Sequence, residues 1–156
     1  MSAVKMLNLD LLLLMVNAAA TLFMTGLIWF VQIVHYPLFD SVGVSEFLKY
    51  GIRHRSLTTL VVAGPMIIEI TTALFLALTW KRAYEGLIWL GFFLVVGIWI
   101  STLLCSIPCH EKLCTGGYSL ETHRWLMNSN WVRTLLWTAR ALILLFIIYK
   151  QITISE

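Results

Sequence analysis

The sequence has little charge and few cysteines. Only 12% of its 156 residues are Asp, Glu, Lys or Arg, about half the share of an ordinary soluble domain. So few charges cannot keep an unfolded chain solvated, which excludes intrinsic disorder. The formal net charge of +3 is too small for a nucleic-acid-binding surface. The three cysteines (Cys105, Cys109 and Cys114) follow neither a C-x-x-C redox spacing nor a zinc-ribbon spacing.

Apolar residues, by contrast, are abundant. They make up 60% of the chain, and the mean hydropathy is +0.86, whereas soluble domains are about 45–50% apolar. A bilayer core requires about 20 apolar residues in a helix, and four segments meet this length. They are residues 11–34, 57–80, 86–107 and 131–149. We predict helices there, because lipid offers no partner to free backbone groups and no segment alternates like a barrel strand.

Four spans predict an all-α, integral membrane four-helix bundle with both termini on the same side. A single domain is expected over residues 1–156. The two longer connections, 35–56 and 108–130, would lie on the other side, and long loops commonly carry function. We expect an interfacial helix to run from the first connection into span two. The last helix is expected to begin near Leu120, after Ser119 as its N-cap.

The four histidines of the chain (His35, His54, His110 and His123) all flank spans on the long-loop side. Neutral imidazole is the commonest metal ligand, so they predict a site for iron, copper, zinc or haem. Carboxylates that could join such a site follow in the same connections. They are Asp40, Glu46, Glu111 and Glu121. The alternative is that interfacial histidines cap helices and bind carbonyls, and no pair has a diagnostic spacing such as H-E-x-x-H.

Other side chains of the same region have plainer alternatives. Cys109, beside His110, is either a further ligand or an inert neighbour. Tyr36 lies at the end of span one, where aromatic side chains typically form a belt at the membrane interface. We therefore assign Tyr36 to that belt.

Two opposite charges fall in the middle of predicted spans. Glu69 is at the centre of span two and Arg140 at the centre of span four. Charges at such depth are costly and nearly always paired, and both spans start on the same side, so we predict a Glu69–Arg140 salt bridge. The pair either locks the helices together or forms a proton-handling or substrate-anchoring group beneath the histidines.

Two short motifs carry a family resemblance. SIPCHEKL at 106–113 follows span three, and NWVRT at 130–134 opens span four. They resemble the V-P-x-N-x-x-L and W-N-x-x-R-T elements of the anthrone-oxygenase-like family of small four-helix bacterial membrane proteins, with His110 where that family has Asn. The resemblance implies the bacterial cytoplasmic membrane and, in some members, oxidation of a polycyclic phenol by O₂. The positions that it carries over are Pro108, His110, Asn130, Arg133 and Thr134.

Together these features predict a histidine-lined metal or haem site near one membrane face. The expected activity is oxidation of, or electron transfer with, a lipophilic small molecule from the bilayer. The candidate catalytic residues are Asn130, Arg133, Glu69 and Arg140, with Arg133 holding an anionic group of the substrate. Two alternatives stay open: an accessory subunit that scaffolds a larger membrane complex or homo-oligomer, and a small transporter with a polar path.

Overall fold

The computed structural model describes residues 3–154, with side chains from Leu9 to Thr153. The described residues fold into five α-helices. They are α1 (Ala3–Phe30), α2 (Val44–Thr79), α3 (Glu85–Ser101), α4 (Ile107–Gly116) and α5 (Leu120–Ile154). A π-helical segment, Val31–His35, and a 3₁₀ helix, Pro37–Ser41, extend α1, and a second π-helical segment, Thr102–Ser106, joins α3 to α4.

Four continuous helical stretches are long and apolar enough to cross a membrane. They are Leu9–Ser41, Val44–Thr79, Glu85–Gly116 and Leu120–Thr153. The predicted all-α four-helix membrane bundle is therefore confirmed. Many apolar side chains point away from the bundle; Leu60 and Leu104, for example, are 79% and 71% exposed. Water would disfavour such a surface, whereas lipid solvates it.

Contacts at both ends of the bundle show that successive spans are antiparallel. Near the start of α1, Asp10 forms a 2.6 Å ion pair with Arg82, in the turn between α2 and α3. At the opposite end, His35 lies against His54 of α2. Tyr84, just before α3, contacts Phe146 near the end of α5, with ring centroids 5.6 Å apart. The up-down-up-down order places both ends of the described chain on the same side.

The two long connections are more helical than the sequence predicts. A helix running from the first connection into span two is confirmed as the first part of α2. The 36 residues of α2 span about 54 Å, against a hydrocarbon core of about 30 Å. The early start of the last helix at Leu120 is also confirmed. Residues 108–116, by contrast, were expected in a loop and are helical. Pro108 comes just after the π-helical segment Thr102–Ser106, which interrupts the α-helical hydrogen-bond pattern. A residue without an N–H is tolerated at such an interruption.

The ends of the helices on the long-loop side build a compact aromatic cap. We call its buried members the cap cluster: Tyr36, Phe39, Phe47, Cys109, Leu113 and Leu126. Two further clusters fill the bundle, one around Met24 and Trp137 and one around Trp80 and Ile147 at the other end. The cap cluster packs directly against the histidines.

Candidate metal site at the membrane face

Three of the four histidines meet in the cap. His35 ends the first π-helical segment, His54 lies on α2 and His110 on α4. Nε2 of His35 is 2.9 Å from Nδ1 of His54, and the centroids of these rings are 4.7 Å apart. The His54 and His110 centroids are 5.3 Å apart. Three imidazoles that are distant in the sequence thus form one group, the histidine triad.

The two π-helical segments help to position this triad. In the first, the Tyr36 amide donates to the Val31 carbonyl at 2.9 Å; in the second, the Ile107 amide donates to the Thr102 carbonyl. A π-helical turn contains more residues than an α-helical turn, so it rotates the residues that follow, and such turns are frequent at functional sites. His35 and His110 therefore take directions that an uninterrupted α-helix would not give them.

His123 lies apart from the triad, and both of its ring nitrogens are hydrogen-bonded. Its Nε2 is 2.7 Å from the carbonyl oxygen of Tyr36, which can only accept, so this nitrogen carries the proton. Its Nδ1 then accepts from the Tyr118 hydroxyl at 3.1 Å. Phe39 stacks on His123 and contacts His54 edge-on. Both nitrogens of His123 are hydrogen-bonded within the protein. This agrees with the alternative that the histidines cap helices and bind carbonyls.

No carboxylate joins the triad. All four acidic candidates of the connections (Asp40, Glu46, Glu111 and Glu121) are exposed. Within the described residues, no group of three His, Cys, Asp or Glu side chains is arranged to hold a metal ion. His35 and His54 are instead hydrogen-bonded directly to each other, with Thr58 Oγ1 a further 3.2 Å from Nδ1 of His54.

Tyr36 connects the triad to the polar interior of the bundle. Its side chain is only 4% exposed, and its hydroxyl lies 2.9 Å from Nε2 of His110. Arg133 donates to the same hydroxyl at 3.4 Å and also to Oδ1 of Asn130. The amide of Asn130 in turn donates to Oε1 of Gln32 at 2.8 Å. Sequence reasoning placed Tyr36 in the aromatic belt; its position next to His35 was the only signal of a role in the site.

The remaining residues of the family resemblance lie close to this network. Thr134 is fully buried, and its hydroxyl donates to the Asn130 carbonyl at 3.0 Å. Pro108 lines a groove of about 820 Å³ between the end of α3, α4 and the start of α5. The walls of this groove include Leu104, Cys109, Lys112, Leu120, Arg124 and Trp125.

The predicted Glu69–Arg140 ion pair is confirmed. The two side chains are 0% and 1% exposed, and Nε of Arg140 lies 2.9 Å from Oε1 of Glu69. The carboxylate also accepts from Thr21 at 2.6 Å and from the Trp137 indole at 3.0 Å. Every oxygen of this buried carboxylate therefore has a donor.

The guanidinium of Arg140 is equally well satisfied. Besides Glu69, it donates to the Gly91 carbonyl and to Oδ1 of Asn17 at 2.7 Å. Glu69 follows His54 by about four turns of α2, or about 22 Å along the axis. The ion pair thus ties α1, α2, α3 and α5 together in the middle of the bundle, and the structure does not bring it to the histidines.

Comparison of the chain with family models, with curated proteins and with solved structures finds no match. The resemblance to the anthrone-oxygenase-like family therefore stays a prediction from the two motifs.

Proposed function

We propose that this integral membrane protein binds a single copper ion through His35, His54 and His110, near one membrane face. The observation that carries the proposal is the convergence of three imidazoles from three separate helical segments. We further propose that the site serves oxidation of, or electron transfer with, a lipophilic small molecule. Its position at the end of four apolar spans would suit a substrate dissolved in the bilayer.

The chemistry of the donors favours copper among the metals considered. Imidazole suits zinc, copper and iron, whereas non-haem iron oxygenases typically add a carboxylate to two histidines. The acidic side chains nearby in the sequence are exposed, so the donor set consists of nitrogen alone. Zinc has no redox chemistry, which leaves copper for an oxidative role. When bound, the ion would supply one-electron chemistry.

A single ion also fits the spacing of the triad better than haem does. His35 and His54 approach to 2.9 Å between nitrogens, which leaves no room for a porphyrin between the two rings. Binding of an ion would open this hydrogen bond. That loss costs about 1 kcal/mol, far less than the roughly 10–16 kcal/mol reported for metal binding at structural zinc sites.

The neighbouring side chains would orient the ligands. The Tyr36 hydroxyl occupies Nε2 of His110, so Nδ1 of His110 would be left to bind the ion. Metal-binding histidines usually hydrogen-bond through their other nitrogen, and such partners fix the ring and tune the metal. Arg133 and Asn130 would hold Tyr36 in place through their own hydrogen bonds.

Elemental analysis of the detergent-purified chain, reconstituted with copper, tests this proposal. We expect one copper per chain in the wild type and its loss in His35→Ala, His54→Ala and His110→Ala. His123→Gln is the matched control, since an amide can still donate to the Tyr36 carbonyl, and it should keep its copper. Equal copper in all variants, or none in the folded wild type, would overturn the proposal, and a Soret band would replace copper by haem.

A further inference from the structure

Arg133 is a buried cation that has no counter-ion among the described side chains. Its side chain is only 7% exposed, and from Leu9 to Thr153 no carboxylate oxygen lies within 4.0 Å of it. It donates to two neutral partners, Tyr36 and Asn130, and its Nε has no acceptor. A buried charge is strongly unfavourable unless it is paired and hydrogen-bonded.

Arg140 shows how the same helix accommodates a buried cation that has a counter-ion. Arg140 lies two turns further along α5, is paired with Glu69 and donates from Nε and both terminal nitrogens. Arg133 lacks both the carboxylate and the acceptor for Nε. The two arginines are similarly buried, so the difference lies in the missing anion.

Among the described residues, none of the side chains that accept from Arg133 carries a negative charge. Gln32 and Asn130 are neutral amides, Tyr36 is a phenol, and His110 is an imidazole. The acidic residues of the connections are exposed. A metal cation on the triad would add further positive charge to this region. Electrical balance therefore calls for an anionic ligand.

We infer that Arg133 binds the oxyanion of a ligand, and that this ligand is an amphiphile with a single carboxylate. A guanidinium pairs with a carboxylate through parallel N–H donors, and one unpaired cation matches one negative charge. The groove of about 820 Å³ offers space for an apolar body against Leu104, Leu120 and Trp125. Its lining also includes Glu121, Lys112 and Arg124 but not Arg133 itself. Cys109 lies on the wall of that groove and also packs in the cap cluster with Tyr36, which accepts from Arg133.

This inference names a substrate class for the proposed function. That the bound anion is a substrate rests on the proposed function. Binding of the anion by itself does not depend on a metal. The two proposals therefore fail separately if the anion is tested on chelator-treated, metal-free protein.

The experiment measures binding of decanoate to the full, metal-free chain in detergent by equilibrium dialysis, with acetate and decanol as the other ligands. We expect saturable binding of decanoate at one molecule per chain and weak binding of acetate and decanol. Arg133→Met should weaken decanoate binding by about tenfold to a hundredfold, as expected for loss of a charged hydrogen bond. Arg133→Lys should retain part of it. Arg53→Met, which removes an exposed arginine of α2, is the control and should bind as the wild type does.

A second measurement, of the unfolding temperature, distinguishes loss of ligand binding from loss of the fold. The unfolding temperatures of the wild type and of Arg133→Met, each with and without decanoate, show whether the variant is folded. Decanoate should stabilise the wild type and leave Arg133→Met unchanged. Equal decanoate binding by both folded chains would overturn the inference, as would an equal rise of their unfolding temperatures with decanoate. Equally tight acetate binding would overturn the amphiphilic part and point to a water-soluble anion.

Discussion

Neutralising both members of the Glu69–Arg140 pair should destabilise the protein less than the sum of the two single neutralisations. Glu69→Gln leaves the Arg140 cation with only the neutral acceptors Gly91 O and Asn17 Oδ1. Arg140→Met leaves the Glu69 anion with donors from Thr21 and Trp137. Removing one partner of a buried pair typically costs about 3–5 kcal/mol, and we expect that loss for each single variant.

The double variant, Glu69→Gln with Arg140→Met, removes both charges. It leaves Gly91 O and Asn17 Oδ1 without the guanidinium, at about 1–3 kcal/mol for each acceptor left unsatisfied. The double variant should therefore be less destabilised than the sum of the single variants by about 2 kcal/mol or more, within the range of coupling between contacting residues. The free energy of unfolding can be measured by denaturant titration in mixed micelles, followed by tryptophan fluorescence.

Additive losses, or single losses below about 1 kcal/mol, would refute a mutually stabilising buried pair. Copper binding separates a helix lock from a functional pair. Because the pair lies about 22 Å from His54 along α2, folded Glu69→Gln should bind copper as the wild type does. Loss of copper from a folded Glu69→Gln would instead favour a functional link between the pair and the histidines.

Two further predictions concern single atoms near these groups. Tyr36→Phe removes the hydroxyl beside His110 and should weaken copper affinity by about 10–100-fold, the usual effect of losing a hydrogen-bond partner of a metal ligand. Competition with a copper chelator measures this affinity. Unchanged affinity would mean that Tyr36 does not orient His110. Gly91→Ala would place a methyl group 3.1 Å from Nη1 of Arg140, a nitrogen held by its own hydrogen bond, and should lower the free energy of unfolding by about 1–3 kcal/mol. In the control Gly64→Ala, the added methyl group meets nothing within 4 Å, and the free energy of unfolding should rise by up to about 1 kcal/mol. The same denaturant titration compares the two glycine variants. Equal effects would contradict a close contact at Gly91.

The fold could be predicted from the sequence because its signal is strong and local. Runs of about 20 apolar residues leave few alternatives in lipid, and Glu69 and Arg140 could be paired because each is the central charge of its span. The extent of the helices was harder to predict. Pro108 and the polar residues after it indicate a loop, yet the helix continues because a π-helical segment precedes Pro108. That segment depends on tertiary packing and has no sequence signature.

The candidate site could be predicted only in part. The sequence places all four histidines beside spans on the long-loop side, but it gives no distance between the helices. His123 is separated because its two nitrogens bind Tyr36 O and Tyr118, contacts between distant segments that no local pattern encodes. Tyr36 itself was assigned to the aromatic belt, since the direction of its side chain depends on the π-helical segment just before it.

Copper binding by the histidine triad is tested most directly by electron paramagnetic resonance of the Cu²⁺-loaded chain. Pulsed methods resolve the nitrogen hyperfine couplings of the bound copper. We expect couplings from three imidazoles in the wild type and in His123→Gln, and from two or fewer in His35→Ala, His54→Ala and His110→Ala. Bound copper whose nitrogen couplings are the same in the wild type and in His54→Ala would contradict a site formed by these three histidines.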